Sequence, residues 1–272
     1  TLINRLIGED RLVVFDQPGT TRDSVEVPFS VDGNNYILED TAGIRRKSRV
    51  RQSVEKFSVI KSLRAIDKSN VVIAVLDGRE GITEQDISLI GLAVVRGRSL
   101  VVTINKWDGL TRSEKNKIYS DIDRRLPFLE FAEKKMISAL YGSGVKELLP
   151  AASSAYEAAM KEMSATILTR ELEAAVEAHQ PPLVRGRRIK VRYAHQGGRN
   201  PPVIVIHGKQ TERLPDSYRR YLINRFRKRF KLTGTPIRLS FKTDNNPYKG
   251  KRNKLTPRQQ RRRKRLMRKV KK

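Results

Sequence analysis

No cysteine occurs among the 272 residues. The chain can therefore form neither a disulfide nor a thiolate metal site, which fits a reducing compartment. Histidine is nearly as scarce: His179, His195 and His207 are scattered without metal-ligand spacing. No apolar run approaches the length of a membrane span, and the longest, Val71 to Leu76, has the length of a buried strand. The N-terminus carries neither an initiator Met nor a signal-peptide pattern, and the expectation is that Thr1 is a truncation point. What the last third lacks is acid. Residues 181–272 hold 3 acidic residues against 31 basic ones, whereas residues 1–180 hold 26 of each. The whole net charge of +28 thus lies in that last third. A solvated charged face mixes signs, so an excess this one-sided points to a polyanion. Without a membrane signal, that polyanion is RNA or DNA.

The length accommodates two modest domains, each able to bury a core. From Thr1 to about Met163, short apolar runs alternate with helical patterns. Val25–Val31, Tyr36–Leu38, Val71–Leu76, Leu100–Ile104 and Lys135–Ile137 read as strands. Helices are expected at Thr1–Ile7, Val54–Ile66, Glu84–Val95, Ser113–Arg125 and Val145–Met163. This alternation predicts an α/β fold with a mostly parallel sheet, helices on both faces and ligands at the C-terminal strand ends.

The rhythm then changes. A helix over Leu168–Ala178 meets a breaker at Pro181-Pro182, and strands Ile189–Tyr193 and Val203–Ile206 flank Gly197-Gly198-Arg199-Asn200-Pro201-Pro202, read as the turn. A helix from Asp216 to Lys231 and a strand over Ile237–Phe241 complete an α+β module. In that helix Tyr218, Tyr221, Leu222, Phe226 and Phe230 share one face, a core stripe, while Arg219, Arg220, Arg227 and Lys228 largely occupy the other. After Tyr248 the composition turns basic: Lys251–Lys272 has 13 basic residues and no acid. Its run Arg261, Arg262, Arg263, Lys264 and Arg265 is a nucleic-acid-binding candidate beside the arginine face of the helix. The expected division is 1–164, 165–248 and a tail at 249–272.

Three segments in one order carry the chemistry: Asp40-Thr41-Ala42-Gly43, Asn105-Lys106-Trp107-Asp108 and Ser138-Ala139-Leu140, each following a predicted strand. A carboxylate at Asp108 can accept from N1–H and the 2-amino group of guanine but would be repelled by the N1 lone pair of adenine. Asn105 would brace the neighbouring loops, the Lys106 stem would cover the base, and amides of Ser138–Leu140 would face guanine O6. Asp40 can hold Mg²⁺ through water, and the Gly43 N–H can meet a γ-phosphate. Upstream, Pro18-Gly19-Thr20-Thr21-Arg22-Asp23 offers a threonine to complete the Mg²⁺ shell. Each segment alone is an ordinary turn; their order makes the pattern that of a GTPase.

These segments, with Ile44 after Gly43, the stretches Pro181-Pro182-Leu183-Val184-Arg185-Gly186-Arg187 and Asn246-Pro247-Tyr248, and the basic module itself, resemble the bacterial ribosome-assembly GTPase family EngA, also called Der. The resemblance spans essentially the whole chain and corresponds to the second of the family's two GTPase domains plus its KH-like domain. It implies a P-loop NTPase-type, Ras-like domain followed by a KH-like domain. It further implies GTP/GDP binding with Mg²⁺, and K⁺ as a further cofactor of related GTPases. The implied activity is hydrolysis coupled to maturation of the large (50S) ribosomal subunit by a cytoplasmic, monomeric protein that contacts rRNA. Carried over by position, Asp40 to Ile44, Asn105 to Asp108 and Ser138 to Leu140 bind GTP. Thr21, or alternatively Thr20, is the switch threonine and Mg²⁺ ligand, and Thr1 touches the α-phosphate.

Two departures bound this reading. Ile44 stands where many GTPases place a water-orienting Gln, so no catalytic base can be named. The phosphate loop would lie before Thr1, and a polypeptide beginning there is expected to bind nucleotide very weakly. The second module shows no Gly-x-x-Gly clamp of an ordinary KH domain; Gly197-Gly198 reads as a hairpin turn. The alternative function is a non-enzymatic rRNA-binding protein that uses a degenerate GTPase fold as scaffold.

Overall fold

The computed structural model describes residues 1–7, 26–39, 63–184, 186, 188–243, 261 and 267. In chain order the described elements are α1 (Leu2–Ile7), β1 (Glu26–Val31), β2 (Asn34–Glu39), β3 (Val71–Asp77), α2 (Glu84–Arg96), β4 (Ser99–Asn105), α3 (Arg112–Arg125), β5 (Glu133–Met136), α4 (Leu148–Met160), α5 (Ala165–Ala178), β6 (Lys190–Gly198), β7 (Val203–Lys209), α6 (Asp216–Phe230) and β8 (Arg238–Thr243). Residues 63–68 are also helical.

β4 is the axis of the first unit. Its residues are apolar except for Ser99, Thr103 and Asn105, and all but Asn105 are buried, as a strand covered on both faces requires. It lies between β3 and β5, parallel to both. Leu100, Val102 and Ile104 pack with Ile90 of α2 and Ile118 and Ile122 of α3. Val101 faces the opposite side, with Leu6 of α1 and Leu148 and Ala151 of α4. The period of two along the strand thus sorts the helices into two layers. Matched capping boxes start α2 (Thr83 with Asp86) and α3 (Thr111 with Glu114), and Gly97 in the left-handed region closes α2. The antiparallel β1–β2 hairpin forms a separate two-stranded sheet, held to α4 by a 2.8 Å hydrogen bond between Tyr36 and Ser153.

The second unit is built in the order α5-β6-β7-α6-β8, with the sheet ordered β6-β7-β8. Hairpin β6–β7 is antiparallel and β7–β8 parallel. Its core holds Leu168 and Leu172 of α5, Ile204 and Ile206 of β7, and Tyr218, Leu222, Phe226 and Phe230 of α6. The aromatic stripe is therefore core, as its spacing predicts. The glycine pair departs from expectation. Gly197 and Gly198 belong to β6, and the turn spans residues 199–202. A Cβ on Gly197 would meet Val205 Cγ2 at 2.5 Å, so glycine is needed where the two strands close beside a register shift.

The two cores are joined at the N-terminal end of the parallel sheet. The Leu100 N–H donates to the Gly234 carbonyl, and the Gly234 N–H donates to the Phe131 carbonyl, both at 2.7 Å. Gly234 has φ +73°, and an added Cβ would collide with Ala155 Cβ. Only glycine permits this approach. The connector is fixed as well: the Gln196 side chain accepts from Met163 N–H and donates to the Lys161 carbonyl, each at 2.9 Å.

Candidate functional site

Parallel pairing places Asp77 opposite Asn105, so β3 and β4 release their following loops at the same level. The Gly78 N–H donates to the Asn105 carbonyl at 2.9 Å, and a side chain there would collide with that oxygen and with Leu110. Asn105 then uses one oxygen twice: its Oδ1 accepts from the Lys106 N–H at 2.8 Å and from the Ala139 N–H at 2.9 Å. The second bond ties the 105–108 turn to the 138–140 loop. Trp107 N–H reinforces the joint by donating to the Ile137 carbonyl at 3.1 Å. Lys106 adopts a left-handed conformation (φ 63°), which turns the chain sharply and leaves Lys106 and Asp108 exposed while Trp107 is half-buried. Trp107 rests edge-on against Tyr119 at 5.5 Å, with Lys115 over its ring.

The Ala139 amide, expected to face guanine O6, is thus engaged by Asn105. Ser138 is buried; its Oγ accepts from Tyr141 N–H at 3.3 Å and its carbonyl accepts from Gly142 N–H at 2.7 Å, which shapes the loop. From the first helix, Arg5 donates to the Leu140 carbonyl at 2.9 Å, and Leu140 itself is exposed. Thr1 is exposed, its carbonyl accepting from Arg5 N–H. The Ser138 N–H is engaged as well, donating to the Ser143 carbonyl at 2.9 Å, so the turn presents the exposed Asp108 carboxylate as an acceptor beside a loop whose first two amides are already paired within the protein.

Sequence reading missed Asp77. Its carboxylate lies 2.5 Å from Lys106 Nζ and accepts from the Arg79 N–H at 2.9 Å. Burial tends to raise its pKa, but the Lys106 hydrogen bond, the Arg79 and Glu80 amides and the lysine charge together hold it below the usual aspartate value. The available signal was an acid followed by glycine at the end of a strand, the same placement as Asp108-Gly109 beyond β4.

Asp40, Thr41, Ala42, Gly43, Ile44, Thr20 and Thr21 lie outside the described residues, as do Arg262, Arg263, Lys264 and Arg265. Among the described residues no group of three or more His, Cys, Asp or Glu could hold a metal ion. No described helix is long and apolar enough to cross a membrane.

The arginine face of α6 divides. Arg219 donates to the Leu214 and Glu212 carbonyls at 3.0 and 2.9 Å and lies over the Phe241 ring. Arg227 lies over Phe131 of the first unit, 5.1 Å from the ring centre, and burial pulls its pKa down. Arg220, Lys228 and Arg261 are exposed.

Three family models match. Residues 1–106 match the 50S ribosome-binding GTPase model, 55–173 the Elongation factor Tu GTP binding domain, and 163–242 the KH-domain-like of EngA bacterial GTPase enzymes, C-terminal. The GTPase Der of Thioalkalivibrio sulfidiphilus is 60% identical over 272 residues, covering 100% of this chain and 59% of its own length. That of Methylococcus capsulatus is 57% identical with the same coverage. This chain belongs to the GTPase Der family. It has a Ras-like GTPase domain with a parallel sheet, followed by a KH-like domain, and spans about three fifths of the length of the curated relatives it matches. Among solved structures, Aquifex aeolicus Era bound to GDP.AlF4- is 19% identical over 89% of this chain and 87% of its own, with a TM-score of 0.45.

Proposed function

We propose that the chain binds guanine nucleotide through Asp108 and the loops at 105–108 and 138–140, and that the whole protein hydrolyses GTP. The observation that carries this is the double hydrogen bond to Asn105 Oδ1, which fastens both loops around the exposed Asp108. Lys106, drawn aside by Asp77, would lay its stem along the base, and Thr1 would lie by the α-phosphate. In the same reading Thr21 and Asp40 hold Mg²⁺, the aspartate through water; when bound, the ion would neutralise charge on the phosphates. K⁺ is the further cofactor proposed. The partner is rRNA of the large ribosomal subunit, in the cytoplasm. The 31 basic residues of the last third support this, and the contacts are assigned to Arg220, Lys228 and the tail from Arg261 to Arg265.

Asp108→Asn in the intact protein tests the base contact. GTP binding should weaken about a hundredfold while xanthine nucleotide binding is gained, because the amide presents a donor where the carboxylate accepts. Unaltered GTP binding would refute the assignment. Deleting Lys251–Lys272 should weaken binding to large-subunit rRNA and flatten its salt dependence.

A further inference from the structure

Two strands of the KH-like domain bring three rings together on the face of the sheet turned away from its helices. Tyr193 and His207 are paired across β6 and β7, with centroids 4.3 Å apart and planes within 8°. His195 joins them, 5.2 Å from His207 and 6.3 Å from Tyr193. The opposite face is the core side, where Ala194, Ile204 and Ile206 are fully buried. Burial does not explain the rings: Tyr193 is 46% exposed, and both histidines are only half-buried.

The charge carried by the strands themselves has one sign, and the acid beside His195, Glu162 across a shared cavity, is paired with Arg199 at 2.9 Å. β6, β7 and β8 contain no Asp or Glu, but they hold Lys190, Arg192, Lys209, Arg238 and Lys242. Register places Lys242 beside His207 and Lys209 opposite Lys190 on the same face. Among the described residues, the GTPase domain meets the sheet at its other end. There Arg238 donates to the Val95 carbonyl, and Pro201 packs on Gly97.

We infer that this face is a base-stacking platform for single-stranded RNA, distinct from the arginine face of α6. Stacked, accessible rings on a strand pair offer flat surfaces to unpaired bases whatever their sequence, and flanking lysines and arginines meet the phosphates. A protein partner is disfavoured, since a protein interface core is depleted in charge, whereas this face sets its rings among clustered cations. The inference rests on the RNA-binding reading above and supplies a site for it that the arginine helix and tail do not.

The test is binding of a fluorescein-labelled oligouridine of about twelve nucleotides to the full chain, across a range of salt. Tyr193→Ala should weaken binding roughly five- to fiftyfold without changing the slope of log affinity against log salt, because stacking releases no counterions. Tyr193→Phe should restore affinity, separating the ring from the hydroxyl, and His207→Ala should weaken binding in the same way. Lys242→Ala should instead lower the slope by about 0.7. Thermal melting of Tyr193→Ala should match the parent. Parent-like affinity in both alanine variants would overturn the platform while leaving RNA binding to the helix and tail. No binding by the parent at low salt would overturn the platform together with the RNA-binding reading. A photo-crosslinking residue at Ser240 that captures ribosomal protein and no RNA, on ribosomal particles, would reassign the face to a protein partner and overturn the inference.

Discussion

The Asp77 carboxylate and the Lys106 ammonium stand 2.5 Å apart, with Asp77 largely buried and Lys106 about half exposed. The pair locks the loop after β3 to the loop after β4. It also gives the lysine of the Asn105–Asp108 segment a direction before any base arrives.

Asp77→Asn in the intact protein should therefore weaken guanine-nucleotide binding about three- to tenfold, for GDP and GTP alike, because a half-exposed pair contributes roughly 1 kcal/mol. Equilibrium titration with a fluorescent GDP checks this; unchanged affinity at low salt would remove the positioning role. The pair also has a pH signature. Asp77 has a folded pKa below its ordinary 3.8, so its stabilising contribution is complete above that value and is lost as pH falls through the folded pKa. The variant should show a shallower acid limb below about pH 4.

Gly234→Ala should disturb the seam between the domains. The residue would need a positive φ, and its Cβ would overlap that of Ala155. Loss of about 2–4 kcal/mol is expected, read as an earlier urea midpoint. An unshifted midpoint would mean that the seam yields freely.

The exposed and the engaged cations of α6 should separate cleanly. Arg220→Ala with Lys228→Ala should leave stability within about 0.5 kcal/mol. RNA affinity should fall, and the salt slope should drop by about 0.7–0.9 for each phosphate no longer neutralised. Arg227→Ala, which strips the guanidinium from the Phe131 ring, should instead cost about 1–2 kcal/mol of stability. Equal slope changes in both would contradict the division.

Tyr218→Phe should flatten the alkaline limb of the stability curve. Burial, with Tyr221 alongside, pushes the Tyr218 phenol up to about 12. The folded state thus holds its proton more tightly than the unfolded chain, and stability declines as pH rises from about 10 to about 12. At neutral pH the variant loses the 2.7 Å hydrogen bond to the His179 carbonyl, at a cost of about 0.5–1.5 kcal/mol. Chemical denaturation across pH would show both effects, and an unchanged alkaline slope would exclude Tyr218 as their source.

Much of this was legible in one dimension. The run at Leu100–Ile104 announced a strand covered on both sides, and Tyr218, Leu222 and Phe226 announced the core face of α6, because burial imposes periods of two and 3.6 on apolar residues. Element ends were less so. Gly197-Gly198 reads as a turn by composition, yet the pair lies in β6 because the close approach of Val205 demands glycine there. The arginine face of α6 looked uniform because helical spacing fixes direction but not what lies opposite. Phe131, which occupies Arg227, comes from the other domain.

By itself the sequence determined the alternation of strands and helices, the order of the loops that would read guanine, and the concentration of positive charge in the last third. All three follow from local periodicity, nearest neighbours and composition. The tertiary structure alone decided that Asp77 grips Lys106, that Asn105 holds Ala139, that only part of the arginine face stays exposed, and that Tyr193 stacks on His207. Each of these joins residues from different elements. Their meeting depends on strand register and on how the elements and domains pack, which local sequence pattern does not encode.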